Sequence, residues 1–247
     1  MARKISPEGV PLGLESWLAE NTIEGKPLIP ASTVVPLRDS VEGLEVLMIK
    51  RNTKLSFAEG MWVFPGGKIE KEDLIGNPNQ ESIAKKTACR ECFEESGLSL
   101  NEDALTYYSH WLPPIEAPKR FSTWFFIAEA PKGAVTVDDG EITEYAWWTP
   151  DQALDKAHSN HIEILPPTWI TLFDLSQFSS VDETIEAASF RGPRAYATKM
   201  IRTDEGIAAV WEGDCDYGTD TSNLAHRHRL VMTESIWKFQ LGTHDNK

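Results

Sequence analysis

The chain has 247 residues, enough for a sizeable core and for one large domain or two small ones. Its 41% hydrophobic and 25% charged residues are ordinary for a globular protein. A formal net charge of −14 argues against a nucleic-acid-binding face and against an anionic membrane surface, but not against phosphate substrates, because a bound cation reverses the local field.

Residues 1–26 carry Pro and Gly around a short amphipathic piece, Leu14 to Glu20, and read as an N-terminal arm on the surface. No apolar segment follows the basic Met1-Ala2-Arg3-Lys4, so no secretory signal is expected. Two strands come next, β-branched Ala31 to Leu37 and apolar Leu44 to Ile49, with Arg38 to Gly43 as the hairpin loop. The second ends in Lys50 and Arg51, cations that suit a solvated strand end or a phosphate contact equally. A third strand, Met61 to Phe64, stops at Pro65. Gly66-Gly67 then lets the backbone turn with positive φ or approach a ligand closely. An acidic turn through Glu70, Glu72 and Asp73 leads to Asn77-Pro78-Asn79-Gln80, which has the form of a helix start. Asn77 serves as N-cap, Pro78 as first helical residue and Gln80 as the partner in a capping box. That helix runs to Ser96, with Gly97 as its stop.

Arg120 to Ala130 is an aromatic strand with apolar groups on both alternating faces, so it is expected to be buried on both sides. Tyr145 to Trp148 is another strand, and Thr149-Pro150-Asp151-Gln152 a capped helix start. Pro166-Pro167-Thr168 opens a helix over Trp169 to Phe178. Beyond Ser179 come a polar helix (Val181 to Ser189), strands at Tyr196 to Ile201 and Ile207 to Trp211, an Asp/Gly-rich loop and a strand at Arg229 to Thr233. The last residues, Thr243 to Lys247, match no peroxisomal or ER-retention signal. No apolar run approaches the ~20 residues that span a bilayer, and three scattered cysteines make no disulfide framework. A reducing, cytoplasmic setting is the expectation.

The chemistry concentrates at the end of the first long helix. At about 100° per residue, Glu91, Glu94 and Glu95 fall near 0°, 300° and 40°, one arc of about 100°. Like charges this close repel. A hard divalent cation that takes oxygen ligands, Mg²⁺ or Mn²⁺, turns that repulsion into coordination. The small residues Ala84, Thr87 and Ala88 share the arc, which lets the helix approach neighbouring backbone closely.

Gly67, Asp73 and the run Arg90-Glu91-Cys92-Phe93-Glu94-Glu95-Ser96-Gly97-Leu98 resemble the Nudix box. Its pattern is Gly, five residues, Glu, seven residues, then Arg-Glu-apolar-x-Glu-Glu-x-Gly-apolar. The run matches at every specified position, with Cys92 and Leu98 as the apolar members, and the lead-in Phe64-Pro65-Gly66-Gly67 is also typical of the family. Asp73 stands where the first Glu would be, and residues 74–89 make a longer spacer than the pattern has. The insert carries its own turn and cap signals, so it is placed as a loop before the helix. The resemblance implies that the acid at this place pairs with Arg90 and braces the loop; Asp73 holds that place, with Glu72 as its rival.

The resemblance implies a Nudix fold, an α+β architecture with a mixed β-sheet core sandwiched by helices. The Nudix domain is expected over residues 27–178, with residues 179–247 a C-terminal extension packed on the same domain. It implies hydrolysis of a nucleoside diphosphate linked to another moiety, a small-molecule partner, with a homodimer left open. Physically, a diphosphate repels an attacking water, and cations neutralise its oxygens, position the phosphoryl group and acidify bound water. Glu94 and Glu95 are the implied main ligands of Mg²⁺ or Mn²⁺, Glu91 a ligand or the base, and the Gly67 carbonyl a further ligand. Arg90 braces the loop. A further acid from a loop is Glu141 or Glu144, with Glu144 placed among the catalytic groups and a surface role as the competing reading.

Finer features resemble one branch, bacterial proteins akin to the peroxisomal Nudix CoA diphosphatases. They are the lengthened box, Pro118-Lys119-Arg120-Phe121-Ser122-Thr123 running into the aromatic strand, and Leu165-Pro166-Pro167-Thr168 before a helix. The branch cleaves CoA or acyl-CoA to 3′,5′-ADP and a phosphopantetheine. Such a substrate suits Lys50, Arg51, Lys119 or Arg120 as phosphate contacts and Trp111 or Trp124 against adenine, with core packing as the competing role for Trp124. The alternatives are an ADP-ribose, NADH or nucleotide-sugar hydrolase, and a non-catalytic nucleotide sensor, against which the intact acids argue.

Other signals are set aside. Cys89-Arg90-Glu91-Cys92 is formally C-x-x-C, but no second ligand pair or thioredoxin-like setting accompanies it. Asp214, Asp216 and Asp220 resemble a calcium loop but lack its glycine and closing glutamate, and read as a solvated loop. His158 and His161, and His226 and His228, have no other evident ligands and read as surface residues.

Overall fold

The computed structural model describes residues 27–53, 58–76, 79–117, 119–137, 140–218, 225–233 and 236–243. The expected N-terminal arm, Asn77, Pro78, Pro118 and Asp220 lie outside the described residues. The chain forms two compact units. One comprises Ile29–Ser109 and Thr123–Pro193, the other His110–Ser122 and Arg194–Lys247 with the chain start through Leu28. Among the described residues, no helix is long and apolar enough to cross a membrane.

The larger unit is built on β1 (Leu28–Ser40) and β2 (Gly43–Arg51), an antiparallel hairpin. Its turn is tighter than the expected loop. Arg38, Asp39 and Ser40 stay on the ladder opposite Glu45, Leu44 and Gly43, leaving only Val41 and Glu42 to reverse the chain. Gly43 sits at φ 107°, where a side chain would be strained. β3 (Trp62–Val63) pairs with β2, and β4 (Gly66–Lys68) pairs with β1. There follow α1 (Gln80–Ser96), a 3-10 turn (Glu102–Ala104), β5 (Thr106–Leu112), β6 (Arg120–Glu129) and β7 (Ile142–Trp148). Helices α2 (Pro150–His158), α3 (Pro166–Leu175) and α4 (Val181–Arg191) complete the unit. The sheet order is β3-β2-β1-β6-β5, with β7 against β2. The result is the expected α+β fold with a mixed sheet.

The pleat decides which face each helix covers. Val34, Leu47, Ile49, Trp124 and Phe126 line one face of the sheet and pack against Ala84, Ala88 and Cys92 of α1. Val46 and Met48, which alternate with them on β2, are fully buried on the other face, and α2 lies against β2 and β7. The strand over Arg120–Glu129 is therefore buried on both sides where Trp124 to Ala128 run through the core, as its sequence predicts.

The ends of α1 show one correction. The N-cap is Asn79, whose side chain accepts the Ser82 N–H at 2.9 Å. Gln80 is the first helical residue rather than the box partner of Asn77. The stop is as predicted: Gly97 takes φ 71° and returns its N–H to Phe93 O. Thr149 and Gln152 form the predicted capping box of α2.

The smaller unit carries an antiparallel sheet in the order β12-β11-β10-β9, from β9 (Lys199–Thr203), β10 (Gly206–Val210), β11 (His226–Met232) and β12 (Trp237–Thr243). The strand expected over Tyr196 to Ile201 is broken at Thr198 into β8 (Arg194–Ala197) and β9. Thr198 gives its N–H to Leu112 O at 2.9 Å, and its hydroxyl accepts the Trp211 indole at 3.0 Å, so it serves two directions at once. Around it Trp111 stacks on Tyr196 with ring centroids 4.0 Å apart, and Trp211 meets both edge-on. Strands β5 and β12 have no counterpart in the sequence reading.

Removing the cap isolates its contribution. Asn79→Ala is expected to lower unfolding free energy by ~1 kcal/mol, read as a shift in denaturant midpoint with unchanged slope.

Candidate active site

Glycines bring β4 against both β1 and α1. Neither Gly66 nor Gly67 has positive φ; they are strand residues paired with Thr33 and Ser32. This corrects the turn reading. What requires glycine is proximity: a Cβ on Gly66 would enter the Thr33 side chain and the Ser32 carbonyl, and a Cβ on Gly67 would enter the Glu91 carboxylate. The helix face carrying the acids thus lies directly on the β4 backbone.

Arg90 organises that face. Its Nε and Nη2 bind both oxygens of Asp73, at 3.1 and 2.9 Å, and Nη2 also donates to Lys68 O at 3.1 Å. Its Nη1 contacts Glu91 and Glu94, each at 2.9 Å. Asp73, not Glu72, is therefore the arginine's partner across the lengthened arm. Asp73 is fully buried and also accepts from the Glu70 N–H at 2.9 Å and the Thr87 hydroxyl at 3.0 Å. Burial by itself would raise its pKa, but the Arg90, Glu70 and Thr87 hydrogen bonds outweigh it and hold the carboxyl below its ordinary value. The sequence gives Thr87 only a small-residue role; its hydroxyl could be suspected only once Asp73 is known to lie above it.

The glutamates differ in setting. Glu95 is buried, accepts the Gly66 N–H at 2.8 Å, and lies 3.4 Å from Arg51 Nη1. Burial pushes its pKa up to about 8 despite those partners, with Glu91 and Glu141 adding to the rise. Glu91 is raised as well, first by burial, with Glu94 and Glu141 adding to the rise against the Arg90 charge. Glu94 is exposed over about half its side chain. All three are hard oxygen donors, and burial with neighbouring negative charge opposes ionisation of Glu91 and Glu95; such a donor set fits a divalent cation.

Of the two loop acids, Glu141 is the one whose charge acts on Glu91 and Glu95. Its carbonyl is tied to the Asn52 N–H at 2.7 Å. Glu144, expected among the catalytic groups, is instead ion-paired with Lys50 at 2.6 Å. Arg120 and Trp111 belong to the smaller unit, where Trp111 is buried between Tyr196 and Trp211. Trp124 packs in the core of the larger unit against Tyr107 and Phe126.

The signals set aside also resolve. Cys89 and Cys92 are free thiols that burial pushes up to about 12 and about 11. Among the described residues, ligand atoms of Asp214, Cys215 and Asp216 come within 4.8 Å of one another. Arg229 bonds both Asp214 oxygens and Asp216; Asp214 and Arg229 form a buried ion pair, while Asp216 stays exposed on the loop as expected.

A mixed sheet flanked by helices, with clustered acids that fit a divalent cation, is consistent with a metal-dependent hydrolase of phosphoric anhydrides. The comparisons agree. The family profile of the NUDIX domain matches residues 27–167, more than half of the chain. The chain belongs to the Nudix family, and it is a diphosphate hydrolase. It is similar to the acyl-coenzyme A diphosphatase NUDT19 of Xenopus laevis, 25% identical with 79% of this chain and 77% of that protein covered. It is also similar to the putative nudix hydrolase 7 of Caenorhabditis elegans, 26% identical over 77% of this chain and 75% of the relative. The crystal structure of a NUDIX hydrolase from Alicyclobacillus acidocaldarius shares the fold, with a TM-score of 0.59 at 20% identity, covering 65% of this chain and 96% of that one.

The Asp73–Arg90 pair can be tested by pH. Because Asp73 has a lower pKa folded than unfolded, it contributes stability above its ordinary 3.8, and that contribution is lost as pH falls through the depressed folded value. Asp73→Asn is expected to cost about 3 kcal/mol near neutral pH, since it removes the buried carboxylate that grips Arg90 Nε and Nη2. The gap between variant and wild type in denaturant midpoint should narrow as pH falls through the depressed folded value of Asp73.

Proposed function

We propose that the protein hydrolyses the diphosphate of CoA or acyl-CoA, releasing 3′,5′-ADP and (acyl-)phosphopantetheine. The observation that carries the substrate is the similarity to an acyl-coenzyme A diphosphatase over more than three-quarters of both chains, well beyond the box itself. The alternative within the same chemistry is an ADP-ribose, NADH or nucleotide-sugar substrate.

Glu91, Glu94 and Glu95, with the Gly67 carbonyl, would hold Mg²⁺ or Mn²⁺. When bound, the cation neutralises diphosphate oxygens and acidifies a water. The remaining work falls to the chain's own groups. Arg90, fixed by Asp73, sets the orientation of Glu91 and Glu94. Arg51, at the end of β2 beside Glu95, is placed to meet substrate phosphate, and Lys50 can do so by exchanging its Glu144 partner for a phosphate oxygen. As water attacks phosphorus and the bridging P–O bond breaks, a carboxylate takes the water's proton. Glu141 is favoured over Glu144 for this, because its charge acts on Glu91 and Glu95.

Purified protein with Mn²⁺ should release 3′,5′-ADP from CoA faster than it turns over ADP-ribose, NADH or nucleotide sugars; preference for one of these instead overturns the CoA reading. Glu94→Gln should lower kcat on the order of 100-fold or more without lowering the melting temperature. Retained turnover would remove Glu94 from the ligand set.

A further inference from the structure

β1 and β4 run antiparallel, with Ser32 opposite Gly67 and Thr33 opposite Gly66. Residues directly opposite in such a pair carry their side chains on the same face. A Cβ at Gly67 would land in the Glu91 carboxylate, so the face shared by Ser32 and Gly67 is the one on which Glu91 sits. A Cβ at Gly66 would instead meet the Thr33 side chain, on the alternate face, as the pleat requires. Val34, two residues on from Ser32, confirms the direction: it packs with Ala84, Ala88 and Cys92 of α1.

Ser32 is fully buried on that face, and among the described residues its Oγ has no hydrogen-bond partner. A hydroxyl buried without a partner is destabilising, and an apolar residue would suit a position between Val34 and the small residues of α1 better. Glu91 is held on one oxygen by Arg90 at 2.9 Å. A carboxylate that ligates a cation is commonly fixed by donors behind it, and losing such a donor weakens metal binding.

We propose that Ser32 is a positioning residue for Glu91, its hydroxyl donating to that carboxylate when the acid cluster holds a divalent cation. The proposal rests on the reading of Glu91 as a ligand. Ser32 acts opposite Arg90, so that Glu91 is steadied from the sheet as well as from its own helix. The cost of the unpaired hydroxyl falls on the metal-free protein, and the gain appears only in the loaded one.

The test uses Ser32→Ala, Glu91→Gln and the double variant in the full chain. Mn²⁺ alone is titrated by calorimetry without substrate, and metal-free melting is recorded. Ser32→Ala is expected to melt no lower than wild type while its Mn²⁺ dissociation constant rises roughly tenfold. In the Glu91→Gln background the same change should weaken binding no further. Unchanged affinity in Ser32→Ala, an equal further loss in the double variant, or a lowered metal-free melting temperature overturns the proposal. The outcomes separate from failure of the ligand reading. If Glu91→Gln leaves Mn²⁺ affinity intact, that reading falls and takes this one with it; if Glu91→Gln weakens binding and Ser32→Ala does not, only the role of Ser32 is wrong.

Discussion

The Arg90 guanidinium is the contact on which the site depends. One edge of its planar fork grips both Asp73 oxygens and the Lys68 carbonyl; the remaining nitrogen faces Glu91 and Glu94. A lysine could not reproduce this, because a point ammonium has no fixed fork with which to serve a buried carboxylate and two helix-borne acids in set directions. The geometry couples three elements that are distant in sequence: the β4 edge, the arm before α1 and the last turns of α1. Without it the glutamates would repel one another on a helix of weak amphipathic character, and the β4 backbone would lose the Lys68 carbonyl's tie to α1 and keep the Glu95–Gly66 bond.

The lengthened arm does not disturb this coupling, for a local reason. Asp73 is shorter than glutamate, but its oxygens are met by the Glu70 N–H, the Thr87 hydroxyl and Arg90 together. Lys86 reaches back to the Glu72 carbonyl at 2.9 Å, so the helix holds the arm from a second point. The arm turns through Gly76, and the helix begins on its own cap at Asn79. Added loop length costs little when both ends are anchored. The constraint on the box is thus the pairing at its ends, not the number of residues between them.

How far the sequence could reveal this follows from which interactions are local. The helix, its glycine stop, the capping box at Thr149 and the arc of glutamates depend on neighbours within a turn, and all are readable. The true N-cap was hidden because Asn77 and Asn79 offer the same chemistry two residues apart. The sequence leaves Gly66 and Gly67 open between a positive-φ turn and a close backbone approach, because both select glycine, and only the partner strand and helix decide between them. Strand β5 has no clean alternation of its own, whereas β12 does alternate, Trp237, Phe239 and Leu241 against Lys238, Gln240 and Gly242, and pairs with the neighbouring β11. Trp111 looked like a ligand contact; only the fold shows Tyr196 stacked on its face. Ser32, one polar residue in a β-branched run, carries no signal until its register with Gly67 is known.

The electrostatics of the site follow from the same placement. A chain of net charge −14 that binds diphosphates must reverse its own field locally. The fixed cations near the acids are Arg51 and Arg90, and both are already engaged with carboxylates. Burial pushes the Glu95 carboxyl up to about 8 and raises Glu91, so in the absence of a cation both are held against ionisation. A divalent cation held there would favour the ionised acids and supply positive charge that the side chains do not. With such a cation the protein would need no permanent basic pocket, which would attract any polyanion. The acids that make the site unfavourable for phosphate by themselves would then make it favourable.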